Sequence, residues 1–89
     1  MDIEKYEQYI VDRLLIKKKI GKNKYTNIDS IRGGIPDHLW DKTMINKAIK
    51  NLRNQLIIGL TKKDTCIFIN QKELKKAKDI ASRWEKSVF

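Results

Sequence analysis

Six polar residues of the stretch 41–55, Lys42, Thr43, Asn46, Lys47, Lys50 and Arg53, fall away from an apolar stripe of Ile45, Ala48, Ile49 and Leu52. The stripe recurs at i, i+3, i+4 and i+7, the spacing of one face of a helix, and predicts that this face meets a core. The remaining side, completed by Asn54, is cationic and rich in amides, and no carboxylate follows Asp41 until Asp64. Such a side suits a polyanion that displays base edges. Asn pairs bidentately with adenine, Lys donates to guanine, and flanking cations neutralise phosphates. Thr43, Asn46 and Lys47 are therefore the candidate base contacts, and Lys42, Lys50 and Arg53 the candidate phosphate contacts. The polar turn Lys62-Lys63-Asp64-Thr65 adds Lys62 and Lys63 as further backbone contacts. The plain alternative is a solvated helix face opposite a core.

Other chemistries find little footing. The single His38 has no neighbouring nucleophile and acid, and it reads as a turn residue; there is no glycine-rich phosphate loop and no carboxylate cluster. Cys66 and His38 together cannot make a structural zinc site, and one cysteine cannot form an internal disulfide. No catalytic residue, cofactor, metal or small-molecule substrate is expected, and the cysteine usage fits an intracellular, cytoplasmic chain. Trp40 and Trp84 could stack on bases, but both adjoin apolar stripes and are expected to pack; Cys66, alternating with Phe68, is expected to fill core space. The longest apolar run, 56–60, is far below the roughly 18–20 residues of a membrane span. An acidic, polar start, Met1-Asp2-Ile3-Glu4, argues against a secretory signal.

Charge points the same way as the motif. Lys and Arg number 20 against 11 Asp and Glu, a formal net charge of +9 over 89 residues, so polyanions are attracted at long range. Five of these cations, Lys17, Lys18, Lys19, Lys22 and Lys24, crowd into eight positions. An overall Lys-, Ile- and Asn-rich composition is the competing source of the charge.

The elements that position these residues can be read in order. Asp2 caps a first helix over about 3–20, with the stripe Ile3, Tyr6, Ile10 and Leu14 widened by Val11 and Leu15. Residues 26–28 form a short strand. Asp29 or Ser30 opens a brief helical turn with Ile31 inward, which Gly33-Gly34 ends, and Pro36 holds Ile35 extended. After the long helix, 56–61 and 66–70 make a hairpin. Asn70 and Glu73 have the form of a capping box for a last helix reaching nearly to the C-terminus, with the stripe Leu74, Ala77, Ala81, Trp84 and Val88. The expected fold is α+β, mainly α: a winged helix-turn-helix over 1–70 with an additional long C-terminal helix over 71–89. Its recognition helix spans about 40–55 and its wing tip 61–65. Duplex DNA is the expected partner. Trp84, Val88 and Phe89, too many apolar groups for a small domain to cover, suggest a homodimer through the last helix. Otherwise the first helix covers Trp84 through Tyr6 and Ile10, leaving a monomer.

At residue level the stretch 26–39, Thr-Asn-Ile-Asp-Ser-Ile-Arg-Gly-Gly-Ile-Pro-Asp-His-Leu, resembles a segment of small archaeal winged-helix proteins of mostly uncharacterised role. There a Thr-x-Ile-Asp stretch leads to Gly-Phe-Pro-x-His-Leu, a basic helix, and a wing ending near a Leu-Asn pair. Here Ile35 replaces the Phe, and Ile69-Asn70 matches the end; the wing departs, since Gly59-Leu60-Thr61-Lys62-Lys63-Asp64 lacks the Lys-Pro-Thr-x-Tyr-Gly pattern. The resemblance covers about 19–74 and implies a winged-helix fold, with DNA binding as a regulator or chromatin-type protein by analogy. A winged helix serving protein interaction, or binding double-stranded RNA or ribosomes, is the competing expectation.

Overall fold

In the computed structural model, which describes residues 2–85, the Asp2 carboxylate accepts the Lys5 amide at 3.1 Å and starts α1 (Ile3–Ile16). This helix is shorter than its lysine-rich end suggests. Lys18 turns left-handed at φ 57°, and the following backbone joins the sheet: the Ile69 amide donates to the Lys19 carbonyl and the Gly21 amide to the Ile69 carbonyl, both at 2.8 Å. Two strand bonds thus take over where the helix would continue.

Next come β1 (Thr26–Asn27) and two 3-10 helices, Ile28–Gly34 and Asp37–Leu39. Asn27 caps the first through its side chain, which accepts the Asp29 amide at 2.8 Å. Ile31 is buried there as expected, and Ile35 before Pro36 is extended at φ −115°. α2 (Lys42–Asn54) follows, and its stripe Ile45, Ala48, Ile49 and Leu52 is fully inside.

β2 (Ile58–Thr61) and β3 (Cys66–Ile69) complete a three-stranded antiparallel sheet of order β1-β3-β2, with Ile58 opposite Ile69 and Thr61 opposite Cys66. The sheet faces the core through Ile58, Ile67 and Ile69. Cys66 and Phe68 therefore point to the outer face, and Cys66 does not fill core space as expected, because side chains alternate along a strand and the isoleucines hold the inner positions.

α3 (Leu74–Ser82) begins after a 3-10 turn, Gln71–Glu73. Asn70 serves that turn by accepting the Lys72 amide, whereas Glu73 pairs with Lys76 at 3.3 Å instead of reaching back, so no capping box forms. The helix also stops well short of the expected end. Arg83 and Trp84 close it with amides on the Ile80 and Ala81 carbonyls, and the Trp84 ring meets the Tyr9 edge at 5.4 Å. Val88 and Phe89 lie outside the described residues. The result is a mainly helical α+β fold in which α1 packs against both α2 and α3 over one core. No helix of the described residues is long and apolar enough to cross a membrane.

Candidate nucleic-acid interface

α2 is set in place at both ends. Asp41 accepts the Thr43 and Met44 amides at 3.0 and 3.3 Å, so its carboxylate occupies the amide end of the helix. The sequence expectation starts this helix at about residue 40 and does not name the cap, whose signal is an Asp directly before the first turn. At the other end Leu56 turns left-handed at φ 63°, and Asn70 Nδ2 donates to its carbonyl at 2.8 Å. With the buried stripe held inward, Lys42, Thr43, Asn46, Lys47, Lys50 and Arg53 are all exposed. Among the described residues the ion pairs are Arg32 with Asp37, Lys76 with Glu73, and Arg83 with Asp79. None involves a cation of α2, so that face keeps its full charge.

The eight expected contacts do not gather in one place. Lys42 and Asn46 line an open groove of about 490 Å³ between α2, the first 3-10 helix and the hairpin turn, whose other walls include Trp40, Thr65, Asp29 and Asp64. Two carboxylates therefore stand beside the expected reader Asn46, where a carboxylate can accept from the cytosine amino group and repels phosphate. Arg53 borders a different groove, beside Gly59 and Phe68. Lys47 and Lys50 belong to neither and stand on the open face of the helix.

The hairpin turn is more constrained than a flexible basic tip. Lys62, Lys63 and Asp64 lie at φ 53°, 55° and 66°, three consecutive left-handed residues, and the Lys62 carbonyl accepts the Thr65 amide and hydroxyl at 3.2 and 2.6 Å. Lys62 lies over the Tyr25 ring, its Nζ 5.4 Å from the centroid, while Lys63 is exposed. Of the upstream lysines, Lys17 donates to the Ser30 carbonyl at 2.7 Å and braces α1 against the 3-10 helix.

Three residues that the sequence did not single out lie around α2, outside its exposed face. Arg32 stacks its guanidinium 5.3 Å from the Trp40 centroid and pairs with Asp37 at 3.3 Å, which fixes the entry to α2. Leu56 and Phe68 lie at the Arg53 end. Trp40 itself is half-buried against the core, and His38 is an exposed residue of the second 3-10 helix. Among the described residues no group of His, Cys, Asp or Glu could hold a metal ion. Comparison with protein families, curated proteins and solved structures finds no match to this chain.

Proposed function

We propose that this chain binds duplex DNA without catalysis, as a winged helix-turn-helix protein acting in transcription or DNA packaging in the cytoplasm. The order of elements supports the reading: helix, strand, short helical turns, long helix, hairpin, with a sheet of order β1-β3-β2. The short 3-10 helices stand where the first helix of a helix-turn-helix would be, and α2 takes the part of the recognition helix. The resemblance of 26–39 to small archaeal winged-helix proteins agrees with this order.

The observation that carries the reading is the exposed face of α2, where Lys42, Lys47, Lys50 and Arg53 stand with no carboxylate of the described residues pairing them. A helix of this diameter enters a B-form major groove, placing Thr43, Asn46 and Lys47 at base edges and Lys42, Lys50 and Arg53 at phosphates. Lys63 and the Tyr25-braced Lys62 reach the adjacent backbone.

Fluorescence anisotropy with a random duplex tests the assignment. Lys47→Glu with Lys50→Glu should weaken binding well over tenfold while circular dichroism shows an intact fold, since both residues lie off the buried stripe. With about four phosphates neutralised, log K should fall with log salt at a slope near −3.6, taking about −0.9 per phosphate. Undiminished affinity in the folded double variant rules out α2 as the recognition helix.

A further inference from the structure

The outer face of the sheet carries side chains that neither the core nor the exposed side of α2 uses. Phe68 crosses Gly59, its partner on β2, so closely that a Cβ on Gly59 would lie 2.3 Å from Phe68 Cζ. Only glycine leaves room for the ring there.

Gly59 and Phe68 form part of an open groove of about 640 Å³ at the C-terminal end of α2. Leu56 lines it as well, 63% exposed and left-handed. That backbone ends α2, the Leu56 and Ile57 amides donating to the Arg53 and Leu52 carbonyls, and it leaves the Leu56 side chain as apolar surface in water. Lys22, Arg53 and Lys72 also line the groove, and among the described residues no carboxylate does.

We infer that this groove binds single-stranded DNA, with a base stacked on Phe68 and phosphates held by Lys22, Arg53 and Lys72. A flat ring flanked by cations suits unpaired bases, since every base offers a π face and every nucleotide a negative charge. An acidic peptide would use the cations and leave the ring idle. Arg53 joins the groove to the exposed face of α2, so one DNA molecule with a duplex and an unpaired strand can meet both surfaces. The choice of DNA rests on the duplex reading above, because the deep, narrow major groove of A-form RNA does not admit α2.

The test titrates the full chain, by anisotropy, with labelled oligothymidylate of about a dozen nucleotides, a length that matches known single-strand sites. An abasic strand of equal length, oligouridylate and a random duplex run beside it. Oligothymidylate should bind at least about tenfold tighter than the abasic strand, the margin expected of stacked bases. Phe68→Leu should remove most of that margin and leave duplex affinity within about twofold. Leu56→Gly, which relieves the left-handed backbone and so keeps the fold, should weaken oligothymidylate about threefold or more. Lys47→Glu with Lys50→Glu should do the reverse, weakening the duplex and sparing the margin; a duplex that binds nowhere while the margin persists rejects the α2 reading alone. Equal affinity for oligothymidylate and the abasic strand overturns the stacking groove, as does a margin that survives both groove variants. Tighter binding of oligouridylate, or displacement by oligoglutamate as effective as by unlabelled oligothymidylate, overturns the commitment to DNA.

Discussion

Gly33 and Gly34 are adjacent in sequence and opposite in what they tolerate. A Cβ on Gly34 would lie 2.9 Å from Tyr9 Cε1 and 3.0 Å from its hydroxyl, whereas one on Gly33 meets nothing within 4 Å. The hydroxyl cannot retreat cheaply: it donates to the buried Ile31 carbonyl and accepts the Gly34 amide at 3.0 Å. Gly34→Ala should therefore cost about 1–3 kcal/mol, the usual range for overpacking a filled site. At about 4–8 °C per kcal/mol for a domain this size, thermal unfolding should show a clear drop, with Gly33→Ala close to the parent. Equal Tm values for the two variants would mean that Tyr9 moves freely. The sequence announces both glycines as helix breakers and hides this difference, which depends on a tyrosine of α1 some 25 positions away. Glu7 makes a pH-dependent case. Burial, then the charge of Glu4, raises its carboxyl above the ordinary 4.5, partly offset by a hydrogen bond with Asn51. A folded pKa above the unfolded one means the folded state favours the proton. That stabilisation is complete below the unfolded value and is lost as pH rises through the raised folded value, leaving a strained carboxylate at neutral pH. Glu7→Gln, which keeps the hydrogen bond to Asn51, should raise Tm at neutral pH and change it little well below 4.5; the same shift at both would exclude the carboxyl as the cause.

Among the elements, α2 was the most legible because its stripe is narrow and its other side is uniformly polar, so a single period decides both faces. α1 was harder. Tyr9 and Gln8 lie off its stripe yet are buried, because α1 packs against α3 as well as α2 and so has two covered flanks. The inward face of β3 was assigned to Cys66 and proved to be that of Ile67 and Ile69: Cys66, Ile67, Phe68 and Ile69 are all apolar, so alternation gives no preference until the partner strands fix the register. The candidate site was legible as a set of exposed residues, all eight of which are exposed, and illegible as an arrangement, since its division between two grooves depends on where the hairpin lies. The hairpin turn makes its own prediction. Left-handed backbone costs an ordinary residue about 1–2 kcal/mol, while glycine adopts it freely and loses about 0.5–1 kcal/mol in chain entropy. Lys63 is exposed, so Lys63→Gly should stabilise the fold by up to about 1 kcal/mol. Lys63→Val should lower stability, because a β-branched residue resists the left-handed region most. Chemical denaturation of the two variants checks this, and an unchanged or reversed order would show that the turn relaxes out of its three left-handed residues in solution.

For the molecule as a whole, the question is whether the C-terminal segment faces inward or toward a second copy. The sequence expectation placed Trp84 at a homodimer interface together with Val88 and Phe89. The described chain uses Trp84 itself: the ring is half-buried against the core and meets Tyr9 edge-on, a contact of the kind that adds about 0.5–1.5 kcal/mol beyond burial. The Cα radius of gyration is 11.7 Å, against about 12 Å for a compact domain of this length, so among the described residues no long helical arm projects from the body. Among the described residues, the large apolar ones that remain most exposed are Ile16 at the end of α1 and Leu56 after α2. Two residues are far less than the roughly 800 Å² per partner that a stable interface buries. The free chain should therefore be a monomer at tens of micromolar, with sedimentation equilibrium giving one chain mass. Trp84→Ala should act on the fold, lowering Tm by an amount in keeping with a core aromatic, and leave the mass unchanged. A two-chain mass that Trp84→Ala reduces to one would restore the C-terminal dimer, and with it two recognition helices spaced for a two-fold site on DNA.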